Sequence, residues 1–228
     1  MSIPAIAAYP MPQGEPENRV SWRAQSHRAV LLIHDMQHYF LNKFNVEAEP
    51  VPSLVGNIRQ LRELCHAKGV PVVYTAQPSE QAPTDRALLS DFWGLGVSDP
   101  VNASQEPIIE ELAPAAQDII LTKWRYSAFF RSELKEMMRQ QGRDQLIICG
   151  IYAHIGCMTT ALDAFMNDIQ PFLVSDATAD FSQEEHEMAI RYVSRRCGVS
   201  VSSARLQGWL QETRAHATRE PVPVAALG

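Results

Sequence analysis

Four polar residues, Asp35, Gln77, Lys123 and Tyr152, each follow a run of apolar residues along the chain. A carboxylic acid on an apolar floor is suited to act as a general acid, and a lysine beside it is suited to hold an anionic substrate. The simpler reading is that polar residues mark the points where the chain leaves a core. The recurrence at four separated places favours a site over that reading for the group as a whole.

The elements that would position these residues are strands that alternate with helices. Helical spacing of apolar residues covers 52–69, the stretch around 106–112 and 132–142, and an S-x-x-E capping box at 182–185 opens a further helix. Such alternation predicts an α/β fold, in which a parallel sheet of about six strands is covered on both faces. The carboxyl ends of those strands meet at one edge, where ligands bind in open α/β proteins. The predicted strands are 28–35, 70–75, 118–122, 145–151, 170–175 and 198–202.

Length and composition predict one domain. The chain has 228 residues, of which 46% are hydrophobic, enough for one sizeable core. We expect a proline-rich N-terminal arm over 1–28, one folded domain over 29–210 and a flexible tail over 211–228.

Charge and cysteine usage limit the partners and the compartment. The formal net charge of −6 argues against nucleic acid and anionic membrane surfaces. The four cysteines are widely spaced, which predicts reduced thiols in a cytoplasmic protein. Neither a leader segment nor a membrane span is expected from the sequence.

Signals for cofactors are weak. The pair Gly94 and Gly96 is half of a glycine-rich phosphate motif and does not lead from a strand into a helix. His34 and His154 lie near the predicted site, but no metal-ligand spacing accompanies them on a shared element. We therefore expect no metal and no cofactor.

The sequence closely resembles the isochorismatase family in four separated stretches, LLIHDMQ at 31–37, YTAQP at 74–78, KWRYSAF at 123–129 and GIYAHIG at 150–156. The resemblance runs from the N-terminal arm to about residue 206. It implies a Rossmann-like three-layer α/β/α sandwich that the family shares with cysteine hydrolases. The siderophore-pathway isochorismatases that make 2,3-dihydroxybenzoate are the most similar branch, and the phenazine-pathway relatives share nearly the same stretches.

The amidase members of that wider superfamily use an aspartate, a lysine and a nucleophilic cysteine. By resemblance, Asp35 and Lys123 occupy the first two positions, whereas the third is Gly156. Cys157 follows one residue later and on a helix would point about 100° away. The missing thiol disfavours an amidase and agrees with the isochorismatases.

The resemblance implies hydrolysis of the enolpyruvyl vinyl ether of isochorismate to pyruvate and 2,3-dihydro-2,3-dihydroxybenzoate. Because a vinyl ether resists mild nucleophiles, we expect Asp35 to protonate its methylene carbon, after which water captures the cation. Lys123 favours the ionised acid, and the two substrate carboxylates would offset that effect in the complex. Catalytic roles are thus expected for Asp35, Lys123 and Gly156.

Further residues are implied to bind the substrate, a small dicarboxylate. The residues that would hold its carboxylates and ring hydroxyl are Gln77, Arg86, Lys123 and Tyr152. The residues that would shape the pocket are Phe40, Trp93, Tyr126 and Gly156, the last by leaving room for the substrate ring.

Several alternatives stay open. Hydrolysis of 2-amino-2-deoxyisochorismate in phenazine synthesis is the nearest, since it is the same chemistry with an amine in place of the hydroxyl. A carrier-interaction module is another, but no G-x-[DH]-S carrier motif follows Leu206, so we expect no carrier domain. The aromatic clusters and the resemblance predict a homodimer, and transient contact with siderophore synthetase enzymes is a further expectation.

Overall fold

The computed structural model describes residues 3–212, in which six parallel strands form one sheet with the order β3-β2-β1-β4-β5-β6. The predicted α/β class and the six strands are confirmed. The chain reverses its direction of travel across the sheet between β1 and β4, which are hydrogen-bonded neighbours. The strands are β1 (Ala29–His34), β2 (Val72–Ala76), β3 (Ile119–Thr122), β4 (Gln145–Ile151), β5 (Gln170–Ala179) and β6 (Val199–Val201).

Helices cover both faces of the sheet, as the three-layer prediction requires. Alternate residues of β1 show the division, because Leu31 and Ile33 pack in one core and Val30 and Leu32 pack in the other. The first core holds α2 and α8, and the second holds α5, α6 and α7. The helices are α1 (His38–Leu41), α2 (Val51–Ala67), α3 (Pro83–Arg86), α4 (Leu89–Trp93), α5 (Leu134–Gln140), α6 (Met158–Met166), α7 (Gln183–Arg196) and α8 (Ser203–Gln211).

Local sequence signals explain several boundaries. The Ser182 side chain accepts a hydrogen bond from the Glu185 N–H at 3.2 Å, so the predicted capping box opens α7. Gly69 and Gly142 have φ values of +64° and +63° just beyond α2 and α5, where a left-handed residue ends a helix.

The helix predicted around residues 106–112 is wrong. Two short 3₁₀ turns, Pro100–Gln105 and Glu110–Leu112, flank an extended stretch there. Its backbone pairs with the chain after β1: the His38 N–H donates to the Pro107 carbonyl at 3.0 Å, and the Ile109 N–H donates to Met36 at 3.1 Å. Those long-range bonds take the groups that a helix would have used internally.

The N-terminal arm packs into the domain. Ile3, Ile6 and Met11 are buried in the core on the α2 side of the sheet. The Ile6 N–H donates to the Lys43 carbonyl at 2.7 Å, which ties the arm to the chain after α1. The predicted tail over 211–228 lies outside the described residues from position 213 onward. Between residues 3 and 212, no helix has the length and apolar character needed to cross a bilayer.

Tyr9 anchors this arm to the far half of the sheet. Its hydroxyl accepts the Asp180 N–H at 2.7 Å and lies 3.3 Å from Nδ1 of His186, a buried residue of α7. Nε2 of His186 lies 2.9 Å from the Thr178 hydroxyl. One buried phenol therefore satisfies polar groups on the turn after β5 and on α7, and His186 continues the link to Thr178 of β5.

Tyr9→Phe should lower the free energy of unfolding by about 1–3 kcal/mol, because it leaves the Asp180 N–H and a ring nitrogen of His186 buried without their partner. Urea unfolding measures this loss. Tyr192→Phe is the matched control, since its half-buried hydroxyl makes no hydrogen bond within residues 3–212. Equal stability of the two variants would contradict the anchoring role.

Candidate active site

A cavity opens at the carboxyl edge of the sheet, beside the parallel neighbours β1 and β4, whose following helices α2 and α6 pack on opposite faces. All nine residues that the sequence nominates line it, and their roles stay predictions. Four of them stand directly after four different strands. The nine are Asp35, Phe40, Gln77, Arg86, Trp93, Lys123, Tyr126, Tyr152 and Gly156.

Asp35 is the one carboxylic acid among the described residues that line the cavity. It is 5% exposed and holds a left-handed backbone with φ of +49°, which is uncommon for a residue with a side chain. Oδ2 accepts from the Lys123 ammonium at 3.1 Å, and Oδ1 accepts from the Thr75 hydroxyl at 2.6 Å. Each oxygen therefore has one donor from the protein and a remaining lone pair.

His34 is buried directly beneath this acid. Its Nδ1 lies 2.7 Å from the Ile151 carbonyl and 3.6 Å from Oδ2 of Asp35. Burial lowers the pKa of His34 to about 4, although the Asp35 carboxylate acts in the opposite direction. The imidazole is therefore neutral at pH 7, and its Nδ1–H donates to Ile151.

Arg86 supplies a second cation, 3% exposed, from α3. Its Nε donates to the Gly94 carbonyl at 2.5 Å, whereas its buried Nη1 has no hydrogen-bond partner in the described part of the chain. The guanidinium packs against Gly96, where a Cβ would overlap Nη2. A buried, unpartnered N–H of a cation in a cavity is suited to an anionic ligand group.

The aromatic wall is held by its own hydrogen bonds. The Tyr152 hydroxyl donates to the Phe40 carbonyl at 2.9 Å, and the Trp93 indole donates to the Tyr126 hydroxyl at 3.0 Å. Tyr152 thus presents its ring to the cavity, while its hydroxyl, expected to hold the substrate, already has a protein partner. The Gln77 side-chain amide has no hydrogen-bond partner within residues 3–212.

Gly156 has a different neighbour from the one expected. A Cβ on this residue would overlap Cε1 of His34 and would lie 2.7 Å from its Nε2. The glycine thus makes room for a protein imidazole, whereas the sequence argument assigned the space to the substrate ring. Cys157 is fully buried, and burial raises the pKa of its thiol well above the usual value, which leaves it poorly suited to act as a nucleophile.

Sequence reasoning missed several lining or supporting residues. Thr75 pairs with His34 in the β1–β2 register, so a parallel alignment of the two strands could have placed it beside Asp35. Phe181 forms part of the wall and contacts the Tyr152 ring at a centroid distance of 4.6 Å. It was hidden because β5 runs to Ala179, four residues beyond its predicted end. Ile3 of the arm lines the cavity and carried no signal.

One group among the described residues has metal-ligand atoms close together, namely His154, Asp180 and Glu185. The chain brings them from three elements, which spacing along the sequence could not show. However, the Asp180 oxygens accept from the His154 N–H at 2.5 Å and the Phe181 N–H at 2.8 Å, and Nδ1 of His154 lies 2.6 Å away. We therefore assign the Asp180 carboxylate a structural role, in which it links the turn after β4 to the turn after β5. The absence of a metal stays a prediction.

The sheet order and the buried acid–lysine pair at its switch point define a class, an α/β enzyme with a cavity at the carboxyl edge of its sheet. The chain belongs to the isochorismatase family, because the family model of the isochorismatase domain matches residues 29–205. It is a hydrolase of that family.

Three curated relatives are similar to this chain over most of its length. The chain is 56% identical to the isochorismatase of Bacillus subtilis, covering 94% of this chain and 69% of the relative. It is 49% identical to enterobactin synthase component B of Escherichia coli K12, with 90% and 72% covered. It is 48% identical to the phenazine biosynthesis protein PhzD1 of Pseudomonas aeruginosa, with 88% and 96% covered.

A solved structure supports the fold. A cysteine hydrolase from Pseudomonas syringae pv. phaseolicola superposes with a TM-score of 0.72 at 23% identity, over 86% of this chain and 97% of that one.

Thr75→Val should lower kcat about 10-fold for pyruvate release from isochorismate, the reaction that the family resemblance implies. The substitution removes the hydroxyl that donates to Oδ1 of Asp35 at 2.6 Å, so the carboxyl group is less firmly oriented. Thr122→Val, at the exposed end of the neighbouring strand, is the control. A wild-type kcat for Thr75→Val would exclude the Thr75 hydroxyl as a determinant of Asp35.

The stability of the protein should fall as the pH drops from about 6.5 to about 4. Burial lowers the pKa of His34 and of His186 from 6.5 to about 4, so the unfolded chain takes up these protons first. Each histidine contributes at most roughly 3 kcal/mol across that window, at ~1.4 kcal/mol per pKa unit.

Urea unfolding at several pH values in this window checks the slope. His34→Asn and His186→Gln should each flatten it, whereas His27→Gln, at an exposed position, should not. Parallel slopes for all three variants would show that the buried histidines do not carry the effect.

Proposed function

We propose that the chain is an isochorismatase that hydrolyses isochorismate to pyruvate and 2,3-dihydro-2,3-dihydroxybenzoate in catechol siderophore synthesis. The observation that carries the proposal is the cavity itself. It offers one carboxylic acid, Asp35, in contact with one lysine, Lys123, and a separate buried arginine with an unpartnered N–H. Such a site suits acid chemistry on a dianion.

The first step is a proton transfer. Asp35 in its acid form gives its proton to the terminal methylene carbon of the vinyl ether, which becomes a methyl group, and the positive charge is shared between the ether carbon and oxygen. Water then adds to the ether carbon, which carries the positive charge. The resulting hemiketal returns one proton to the Asp35 carboxylate, and the ring oxygen leaves as an alcohol with the other proton, so the acid is regenerated.

Binding of the substrate prepares Asp35 for this role. Three cations line the cavity, Arg86, Lys123 and Arg125, against a single carboxylate among the described lining residues. Two substrate carboxylates would balance that excess positive charge and would compete with Asp35 for Lys123. The bound dianion thereby favours the protonated acid that the first step needs.

The reaction needs no covalent intermediate. Gly156 provides no nucleophile, and the Cys157 thiol beside it is buried and protonated at neutral pH. This arrangement suits an oxocarbenium route better than an acyl-enzyme route.

The relatives support two related substrates. Isochorismate is favoured by the 56% identity to the Bacillus subtilis isochorismatase and by the siderophore synthase component. The alternative, 2-amino-2-deoxyisochorismate in phenazine synthesis, is supported by the relative PhzD1, 96% of whose length aligns with this chain.

A homodimer is part of the proposal, and exposed apolar side chains such as Leu88, Phe92 and Met166 suit a protein contact. Transient contact with siderophore synthetase enzymes is likewise proposed.

Asp35→Asn should reduce pyruvate release from isochorismate by about 10²–10⁴-fold, because the amide cannot donate the catalytic proton, while substrate binding is retained. Lactate dehydrogenase coupling measures pyruvate, and calorimetry measures binding. Asp91→Asn, an exposed acid of α4, is the matched control and should keep the wild-type rate.

The same assay with the amino analogue decides between the pathways. Faster release from isochorismate supports the siderophore assignment, and faster release from the amine moves it to phenazines. A fully active Asp35→Asn enzyme would falsify the acid mechanism, and no pyruvate from either substrate would remove the proposed function.

A further inference from the structure

The space beside Gly156 is occupied by the side chain of another strand. The His34 imidazole presents its Nδ1–Cε1–Nε2 edge to this glycine. An added Cβ would overlap Cε1, would lie 2.7 Å from Nε2 and would lie 3.0 Å from Nδ1. The first two are closer than real Cβ contacts, so an imidazole at 34 and a side chain at 156 compete for one volume.

The imidazole also lies between the ends of β1 and β4 and the loop after β3. It extends from the end of β1, its Nδ1 donates to the Ile151 carbonyl at the end of β4, and its Nε2 lies 3.4 Å from the Tyr126 carbonyl after β3. Both partners are acceptors, so the neutral ring serves the closer one, Ile151. The ring is 1% exposed, which leaves it little freedom to move aside.

Asp35 is the next residue along the chain, and it has the left-handed φ of +49°. Its backbone is tied to β2 through the Thr75 carbonyl and hydroxyl, both 3.2 Å from the Asp35 N–H. A displaced His34 would therefore pull directly on the residue that carries the proposed acid. A shift of about 1 Å in a catalytic group is enough to cost ~10²-fold in rate.

We propose that His34 is a positioning residue, and that its imidazole together with the bare backbone at Gly156 forms one unit that fixes Asp35 and the turn after β4. In its catalytic part this inference rests on the proposed function. The steric part concerns the fold alone and is measured without substrate.

A double-mutant cycle tests the unit. Gly156→Ala should lower kcat about 100-fold and lower the melting temperature, because the methyl group displaces the imidazole. His34→Asn keeps a donor N–H near the place of Nδ1 and lacks Cε1 and Nε2, the two atoms closest to the added methyl. The double variant His34→Asn/Gly156→Ala should therefore regain about 10-fold in kcat over Gly156→Ala, with a smaller change in KM.

Gly56→Ala is the matched control for the glycine substitution, since a Cβ on this α2 glycine meets no atom within 4 Å. It should keep wild-type kcat and should not lower the melting temperature, because alanine is favoured over glycine inside a helix. The inference is overturned if Gly156→Ala behaves like Gly56→Ala, or if the double variant is no faster than Gly156→Ala.

Two readouts separate this inference from the proposed function. If the wild-type protein releases no pyruvate, the proposed function fails. The melting temperatures of wild type, His34→Asn, Gly156→Ala and the double variant still test whether the imidazole at 34 and a methyl group at 156 exclude each other. If the melting temperatures couple but kcat does not recover in the double variant, His34 is a packing residue and its positioning role is refuted.

Discussion

The contact between the Asp35 carboxylate and the Lys123 ammonium, 3.1 Å apart and almost completely buried, is the constraint on which the rest of the site depends. Two charges removed from water need each other and further hydrogen bonds, or the site would not hold them. The sheet meets that need by bringing the ends of β1, β2 and β3 side by side, so that Thr75 on the middle strand completes the arrangement.

Around this pair, the second half of the sheet provides the wall. The fully buried Asp180 carboxylate accepts N–H groups from His154 and Phe181 and so joins the turns after β4 and β5. Tyr9 joins the N-terminal arm to the same point. The arm is therefore part of the architecture that shapes the cavity, since Ile3 lines it and Tyr9 is bonded to Asp180, the residue before the wall residue Phe181.

Much of the fold followed from periodicity. Continuous apolar runs marked β1 and β4 most clearly, because a strand buried on both faces has few polar positions. The errors fell where long-range pairing decides the outcome. The stretch around 106–112 has a helical pattern, but its backbone bonds to residues after β1. The end of β5 was placed too early because the later part, Asp176–Ala179, carries polar residues that still pair with β4.

By itself, the sequence determined which residues stand at the carboxyl edge. The identity of a strand and the residue after it are local properties, so Asp35, Gln77, Lys123 and Tyr152 could be assigned to one edge. Tertiary structure alone decided what each of them touches. Gly156 was expected to clear space for a ligand, and it clears space for His34, 122 positions away along the chain, because β1 and β4 are neighbours in the sheet. Thr75, Phe181 and Ile3 joined the site for the same reason: side-chain neighbours across strands depend on register, strand length and packing, which local spacing does not encode.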